Sequence, residues 1–179
     1  SRYNVSRLGG AILYGWFPGP DSKLFSHTLS LSGLAIWEND RALLESAELG
    51  PSWQLSFKSG WGGSFGPMAY FEDVPEAFDF SEEASIPAGR YSFGGFKGML
   101  ITPQGRLLNG MLFVEAGSFY DGWRTSVGLM PQCSLISDLE IGGLLQYNRV
   151  WFPGRGQSFL APVGQVRAMA TLSTALSIL

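Results

Sequence analysis

Cysteine is almost missing from this sequence. Cys133 is the only one, so no intrachain disulfide framework and no cysteine-based metal cluster can form. Histidine is as scarce: His27 stands alone, which leaves no Ser-His-Asp set and no two-histidine metal site. Charge is thin too. Asp, Glu, Lys and Arg make up 15% of the chain, against a usual share of about 25%. The formal net charge of −3 argues against nucleic acid as a partner. No apolar run approaches the roughly 20 residues that a membrane-spanning helix needs. Ser1-Arg2-Tyr3 opens directly into alternation, so no secretory signal is expected within these residues. No internal repeat or low-complexity linker appears. One domain over residues 1–179 is expected.

What is plentiful is apolar and aromatic. The chain is 45% hydrophobic and 14% aromatic, with 24 glycines among 179 residues. A soluble protein this apolar needs a large two-sided core. A membrane barrel instead needs an apolar exterior and tolerates a polar lumen.

The pattern that organises these residues has period two. In Trp53-Gln54-Leu55-Ser56-Phe57-Lys58 the large apolar residues hold odd positions and the polar ones even positions, as in a sheet with two unlike faces. Thr28, Ser30 and Ser32 alternate with Leu29, Leu31 and Gly33. Asn109, Met111, Phe113 and Glu115 alternate with Leu108, Gly110, Leu112 and Val114. Glu140, Gln146 and Asn148 alternate with Leu139, Ile141, Leu145 and Tyr147, and the window 171–179 repeats the theme. Several windows run about 10 residues, the length of a tilted strand that crosses a bilayer, whereas soluble strands average nearer 5–6. The expectation is all-β: an antiparallel meander of about eight to ten strands, part of a transmembrane β-barrel.

Connections follow from turn residues. Thr102-Pro103-Gln104-Gly105 reads as a tight turn. A bulged three-residue loop sets Thr102 opposite Arg106 and puts Lys97 on the face of Asn109 and Met111. Pro131-Gln132-Cys133-Ser134 reads as a second short turn, and longer connections are expected at 38–50, 72–88 and 150–158. Residues 41–48 look like a short helix within a loop.

From about Phe71 the sequence resembles a known family through four motifs in order. These are Ala77-Phe78-Asp79-Phe80 leading to Ile86-Pro87-Ala88-Gly89-Arg90-Tyr91, then Gly117 to Arg124, then Leu145 to Val150, and Val166-Arg167 before Leu172-Ser173-Thr174. The family comprises large bacterial outer-membrane proteins with an N-terminal family-9-like carbohydrate-binding module and a β-barrel region of unassigned function. The resemblance covers the last 110 residues or so well and the first 70 loosely. It implies the distal part of that barrel and a bacterial outer-membrane location. The module is absent, so sugar binding transfers to no residue here. No terminal aromatic strand is seen at Ile178-Leu179, and the chain is expected to be a fragment whose remaining strands lie beyond both ends.

Each chemically suggestive cluster has a plain alternative. Glu72, Asp73, Glu76, Asp79, Glu82 and Glu83 invite calcium, but lack the Asp-x-Asp-x-Asp-Gly spacing and read as a solvated loop. Glu115 and Glu140 invite glycosidase chemistry, but hairpins about 117–122 and 153–154 pair them with Arg124 and Arg167 as cross-strand ion pairs. His27 reads as a rim or lumen polar residue, and Cys133 as an incidental turn thiol. Gly94-Gly95-Phe96-Lys97-Gly98 lacks the rest of a phosphate loop and fits crowded, curved strands. Trp16, Trp53, Trp61, Trp123, Trp151, Tyr14, Tyr91, Tyr120 and Tyr147 lie near strand ends, as in an interfacial girdle.

The lumen-facing candidates are therefore Gln54, Lys58, Asn109, Glu115, Arg124, Glu140, Gln146, Asn148 and Arg167, with no catalytic, cofactor or metal role for any of them. The partners expected are outer-membrane lipid, the rest of the chain's own barrel and, through the absent module, carbohydrate. The function expected is that of a non-catalytic channel or membrane platform. The alternative is a soluble β-barrel or sandwich that binds a small ligand or carbohydrate, such as part of a carbohydrate-active enzyme. That alternative requires Leu29, Leu55, Leu112 and Ile141 to be buried under a second layer.

Overall fold

The alternating windows become strands of one large sheet. The computed structural model describes residues 4–40, 43–81, 84–136, 139–173 and 176–178. Its strands are β1 (Val5–Trp16), β2 (Leu24–Glu38), β3 (Leu43–Phe57), β4 (Gly62–Val74), β5 (Phe78–Ser81), β6 (Ala84–Ile86), β7 (Gly89–Ile101), β8 (Leu108–Phe119), β9 (Gly122–Ile136), β10 (Leu139–Phe152), β11 (Gln157–Ser173) and β12 (Leu176–Ile178). Ten of them form an antiparallel sheet in the order β1-β2-β3-β4-β7-β8-β9-β10-β11-β12, and β5-β6 form a separate two-stranded sheet. Every neighbour in the large sheet is also the next strand in its sequence order, apart from the β5–β6 excursion. Among the described residues, the end strands β1 and β12 each have one hydrogen-bonded neighbour and are not paired with each other.

Because residues directly opposed in a ladder share a face, the registers sort every strand into two sets. One row runs Thr28, Gln54, Ser64, Met99, Phe113, Gly128, Gln146 and Val163 across eight strands. The row beside it on the other face runs Leu29, Trp53, Phe65 and Gly98. The first set is the polar face and the second the apolar face.

Glycine and proline shape the ladder at particular points. On the polar face a Cβ at Gly128 would fall inside the Phe113 ring, and one at Gly50 would fall on the Met68 sulfur. The large side chain therefore lies across the bare backbone of its neighbour. The β3–β4 pairing lapses between Leu49–Ala69 and Trp53–Phe65, the stretch holding Pro51 and Pro67, because a proline has no N–H to give.

The loop between β4 and β7 carries the core. Val74, Ala84, Ile86, Phe119, Val150 and Phe152 are the buried hydrophobic residues among those described, with Ile86 and Phe152 fully covered. Tyr91, Phe93, Tyr120 and Phe159 pack against them. The β5–β6 hairpin has folded back onto the polar face at the end where β8 meets β9 and β10 meets β11.

Four expectations about local structure are corrected. Residues 43–48 are not helical: they begin β3 and pair with β2, the ladder bulging between Ile36 and Trp37. Residues 41 and 42 lie outside the described residues. A short helix earns little on its own, and strand pairing overrides the local propensity. The connection expected at 38–50 therefore shrinks to 39–42. Pro131 to Ser134 is no turn but the interior of β9, which makes Cys133 a half-buried strand residue. The window at 171–179 is divided, with β11 ending at Ser173 and β12 starting at Leu176; residues 174, 175 and 179 lie outside the described residues.

The turn at Gly105 has the positive φ expected of it, +80°, but the loop is longer than a three-residue bulge. Thr102 faces Gly110 through its backbone N–H (3.0 Å) and exchanges hydrogen bonds with it through Oγ1, not Arg106. The true and expected registers differ by an even number, so Lys97 still shares the face of Asn109 and Met111.

Candidate functional site

The polar face gathers eight of the nine sequence candidates. Gln54, Asn109, Glu115, Arg124, Glu140, Gln146, Asn148 and Arg167 all project from it by register. Lys58 is the exception. It sits in the turn after β3, where Nζ donates to the carbonyls of Gly19 (3.0 Å) and Pro20. It ties two turns together at one rim and does not line the face.

Two arginine–glutamate pairs form on this face. Arg124 Nη2 donates to Glu115 Oε1, and Lys97 stands directly opposite Glu115 on the other side. Arg167 and Glu140 approach to 3.8 Å. Both Arg–Glu pairs are diagonal. Glu115 directly faces Ser126, and Glu140 directly faces Met169. In each case the arginine lies two residues nearer the β8–β9 rim. The twist of the sheet brings such diagonal neighbours within reach of long side chains. Lys97 Nζ also lies 5.4 Å from the Tyr70 ring centroid.

Uncharged polar groups fill the remainder. Gln146 Nε2 donates to Asn148 Oδ1 (3.0 Å), and Asn148 Nδ2 donates to the Ala161 carbonyl (3.2 Å). Asn109, buried to 6% exposure, donates to the Arg106 carbonyl at 3.4 Å. A groove of about 320 Å³ beside it is lined by Gln132, Gln165 and Arg167 over Met130 and Leu144. A second, of about 350 Å³, is lined by Ser64, Met68, Lys97, Phe113 and Glu115. Both open on the polar side, where their lining side chains stand by register.

Tyr120 was grouped with strand-end aromatics, and the structure gives it a different task. It occupies the β8–β9 turn with φ +52°, a left-handed conformation costly for a residue with a Cβ. Its hydroxyl donates to Glu72 Oε2 at 2.7 Å. Burial first, and then this bond to Glu72, raise its pKa well above the ordinary tyrosine value. Tyr91, at the start of β7, braces the chain leaving the β5–β6 hairpin, donating to the Pro87 carbonyl at 2.8 Å.

Of the other aromatics, Tyr14, Trp16, Trp53, Trp123, Tyr147 and Trp151 lie on the apolar face by register, and Trp61 stands in the turn before β4. Tyr14, Trp16, His27, Trp53, Phe65 and Phe96 form one ladder of ring contacts, with centroids 4.4 to 6.2 Å apart, across β1, β2, β3, β4 and β7. Trp123 and Trp151 pair at 6.5 Å towards the opposite rim. His27 is thus not a lumen residue: it stacks on Trp16, and its Nδ1 accepts from Trp53 Nε1 at 3.3 Å. Sequence alternation could have assigned it, since His27 shares parity with Leu29 and Leu31.

Among the described residues no group of His, Cys, Asp and Glu side chains is arranged to hold a metal ion. The acidic stretch is dispersed: Asp73 approaches Arg90 (3.5 Å), while Glu72 accepts from Tyr120, and Glu82 and Glu83 lie outside the described residues. The fold and this surface define an all-β protein with a two-faced antiparallel meander sheet. Compared with family models, curated proteins and solved structures, the chain matches none.

Proposed function

We propose that this sheet is a section of a transmembrane β-barrel of the bacterial outer membrane, with lipid on the apolar face and a solvated lumen on the polar face. In this reading the chain is a non-catalytic channel wall or a membrane platform, and its charged residues pair with one another and do no chemistry. The resemblance through the motifs between Ala77 and Thr174 points the same way.

The observation that carries the reading is an inside-out burial pattern. Along β10, Ile141, Leu145 and Tyr147 are exposed, whereas Glu140, Gln146 and Asn148 are half-covered. Along β8, Leu112 and Val114 are exposed beside a half-covered Glu115 and a buried Asn109. Water selects the opposite arrangement, and an exposed apolar surface of this extent needs an apolar solvent or partner.

The aromatic ladder adds a geometric argument. It drifts by two residues between His27 and Trp53, and by two between Phe65 and Phe96, while its other cross-strand steps, Trp16–His27 and Trp53–Phe65, are directly opposed. That averages one residue per strand. With a rise of about 3.3 Å per residue and strands about 4.8 Å apart, a level belt inclines to the ladder by about 35°. Barrel strands tilt by about 35–45°, so the ladder fits a belt parallel to a membrane surface.

The soluble alternative is disfavoured by the same surface. Leu29, Leu112 and Ile141 are 49%, 37% and 38% exposed, and Leu55 is only half-buried. No second layer covers them among the described residues.

Nitroxide labels test the assignment by parity. Leu145→Cys and Tyr147→Cys labels in vesicles should meet oxygen dissolved in the bilayer, and Gln146→Cys and Asn148→Cys labels should meet a water-soluble nickel chelate. A Cys133→Ser background keeps the labelling unique. Equal access of the chelate to all four positions would sink the barrel reading.

A further inference from the structure

The same residues that build the hairpin core determine where the polar face is open and where it is covered. Val74 and Gly89 are directly opposed on β4 and β7. Residues 75–88 therefore leave the sheet and return to the same place. Tyr120 and Asp121 alone suffice for the equivalent β8–β9 turn, so the extra length has no role in connecting strands.

The excursion does not stand away from the sheet. It pairs with itself through Phe78–Ile86 and Asp79–Ser85 and lies across the polar face. Ala84 and Ile86 are buried with Phe119, Val150 and Phe152. Phe80 meets Phe119 and Phe159 edge-on at 5.5 and 5.7 Å. The hairpin thus reaches from β4 and β7 across to β11, on the side that holds Glu115, Arg124, Gln146 and Asn148. It is packed, unlike the half-open grooves farther along the same face.

Arg155 fastens it. This residue lies in the 3-10 turn Pro153–Arg155 between β10 and β11. Nη1 donates to the Ser85 carbonyl, Nη2 binds Asp121 Oδ1 at 2.8 Å, and the guanidinium lies 4.1 Å from the Phe152 ring centroid. One planar fork therefore joins the hairpin to the β8–β9 and β10–β11 turns. A lysine cannot reproduce that set of directions.

We infer that the 75–88 hairpin is a constriction folded into the lumen, latched by Arg155, and that it sets the size of solute able to pass that end. The inference rests on the barrel reading and deepens it. A wide barrel otherwise leaves an aqueous channel, and an inserted element is what narrows or plugs one.

Conductance of the full-length protein in planar bilayers tests it. Replacing 75–88 with Asn-Gly should raise single-channel conductance several-fold and admit larger neutral polymers. A second variant guards against misfolding of the first. Ser85→Cys with Arg155→Cys, in a Cys133→Ser background, exchanges the Arg155 hydrogen bond for a reducible bis-methanethiosulfonate cross-link, whose spacer replaces the length of the arginine side chain. The cross-linked form should conduct at the wild-type level, and reduction should raise conductance towards that of the deletion. An inserted deletion variant with unchanged conductance overturns the constriction, as does a cross-linked tether that conducts as freely as the deletion. A wild-type protein that fails to insert overturns the barrel reading itself, and the constriction with it.

Discussion

Two regions of this molecule use the same side chains in opposite ways. Beneath the hairpin, Ile86 and Phe152 are wholly enclosed; on the apolar face, Leu145 is 55% and Val166 81% exposed. Fully burying a Val, Leu, Ile or Phe side chain stabilises a fold by about 1.5–3 kcal/mol in water. The hairpin core obtains that stabilisation within the chain. The apolar face does not: its side chains stand uncovered among the described residues. The hydrophobicity of the described residues is therefore mostly displayed on one face of the sheet, and only a small part goes into an internal core.

The largest expected effect breaks the enclosed side of the comparison. Phe152→Ala should cost about 3–5 kcal/mol, measured by denaturant unfolding in detergent micelles. A loss under about 1 kcal/mol would mean that the hairpin core is not a packed unit. Leu145→Arg tests the exposed side. In a bilayer it should cost about 2–4 kcal/mol near the midplane, while Gln146→Arg beside it should cost little. Similar small effects from both would place Leu145 in water.

Two smaller effects sharpen the polar face. Gly128→Ala must push the Phe113 ring aside, at about 1–3 kcal/mol for an overpacked site. Enlarging Gly154, where a Cβ would meet nothing, should cost far less. Last, a double-mutant cycle on Glu115→Gln and Arg124→Gln should give a coupling of about 0.2–1 kcal/mol, weakening with salt. The pair is only part-covered, with 26% and 31% of the side chains exposed, so solvent screens it. A coupling that salt leaves unchanged would show the pair to be sealed from water.

How much was legible beforehand depends on the range of the interaction. The two faces were readable because alternation is local: Gln54, Glu115 and Asn148 declared their face through their own neighbours. Even the misjudged 102–107 loop preserved the face of Lys97, since register errors of an even number leave parity intact. Lys58 was misassigned because alternation was carried one residue past the end of β3, where turn geometry takes over. Residues 43–48 were misread because their helical composition is local, whereas the β2 partners that make them a strand are remote. The hairpin core was invisible for a related reason. Phe80, Ala84 and Ile86 read as loop residues, and nothing beside them announces Phe119, Phe152 or Phe159 as partners.

The sequence by itself determined an all-β chain of alternating strands, the face on which the residues of its alternating windows stand, and the absence of any intrachain disulfide framework or two-histidine metal site. These follow from composition and from a period of two, which each strand expresses without help from the others. Hairpin parity also named the partners Glu115–Arg124 and Glu140–Arg167; only the tertiary structure decided that each pair meets diagonally and not face to face, and it alone decided the aromatic ladder from Tyr14 to Phe96 and the fold of the β5–β6 hairpin onto the polar face under Arg155. Those depend on registers, sheet twist and contacts between segments far apart in the chain, which no local pattern encodes.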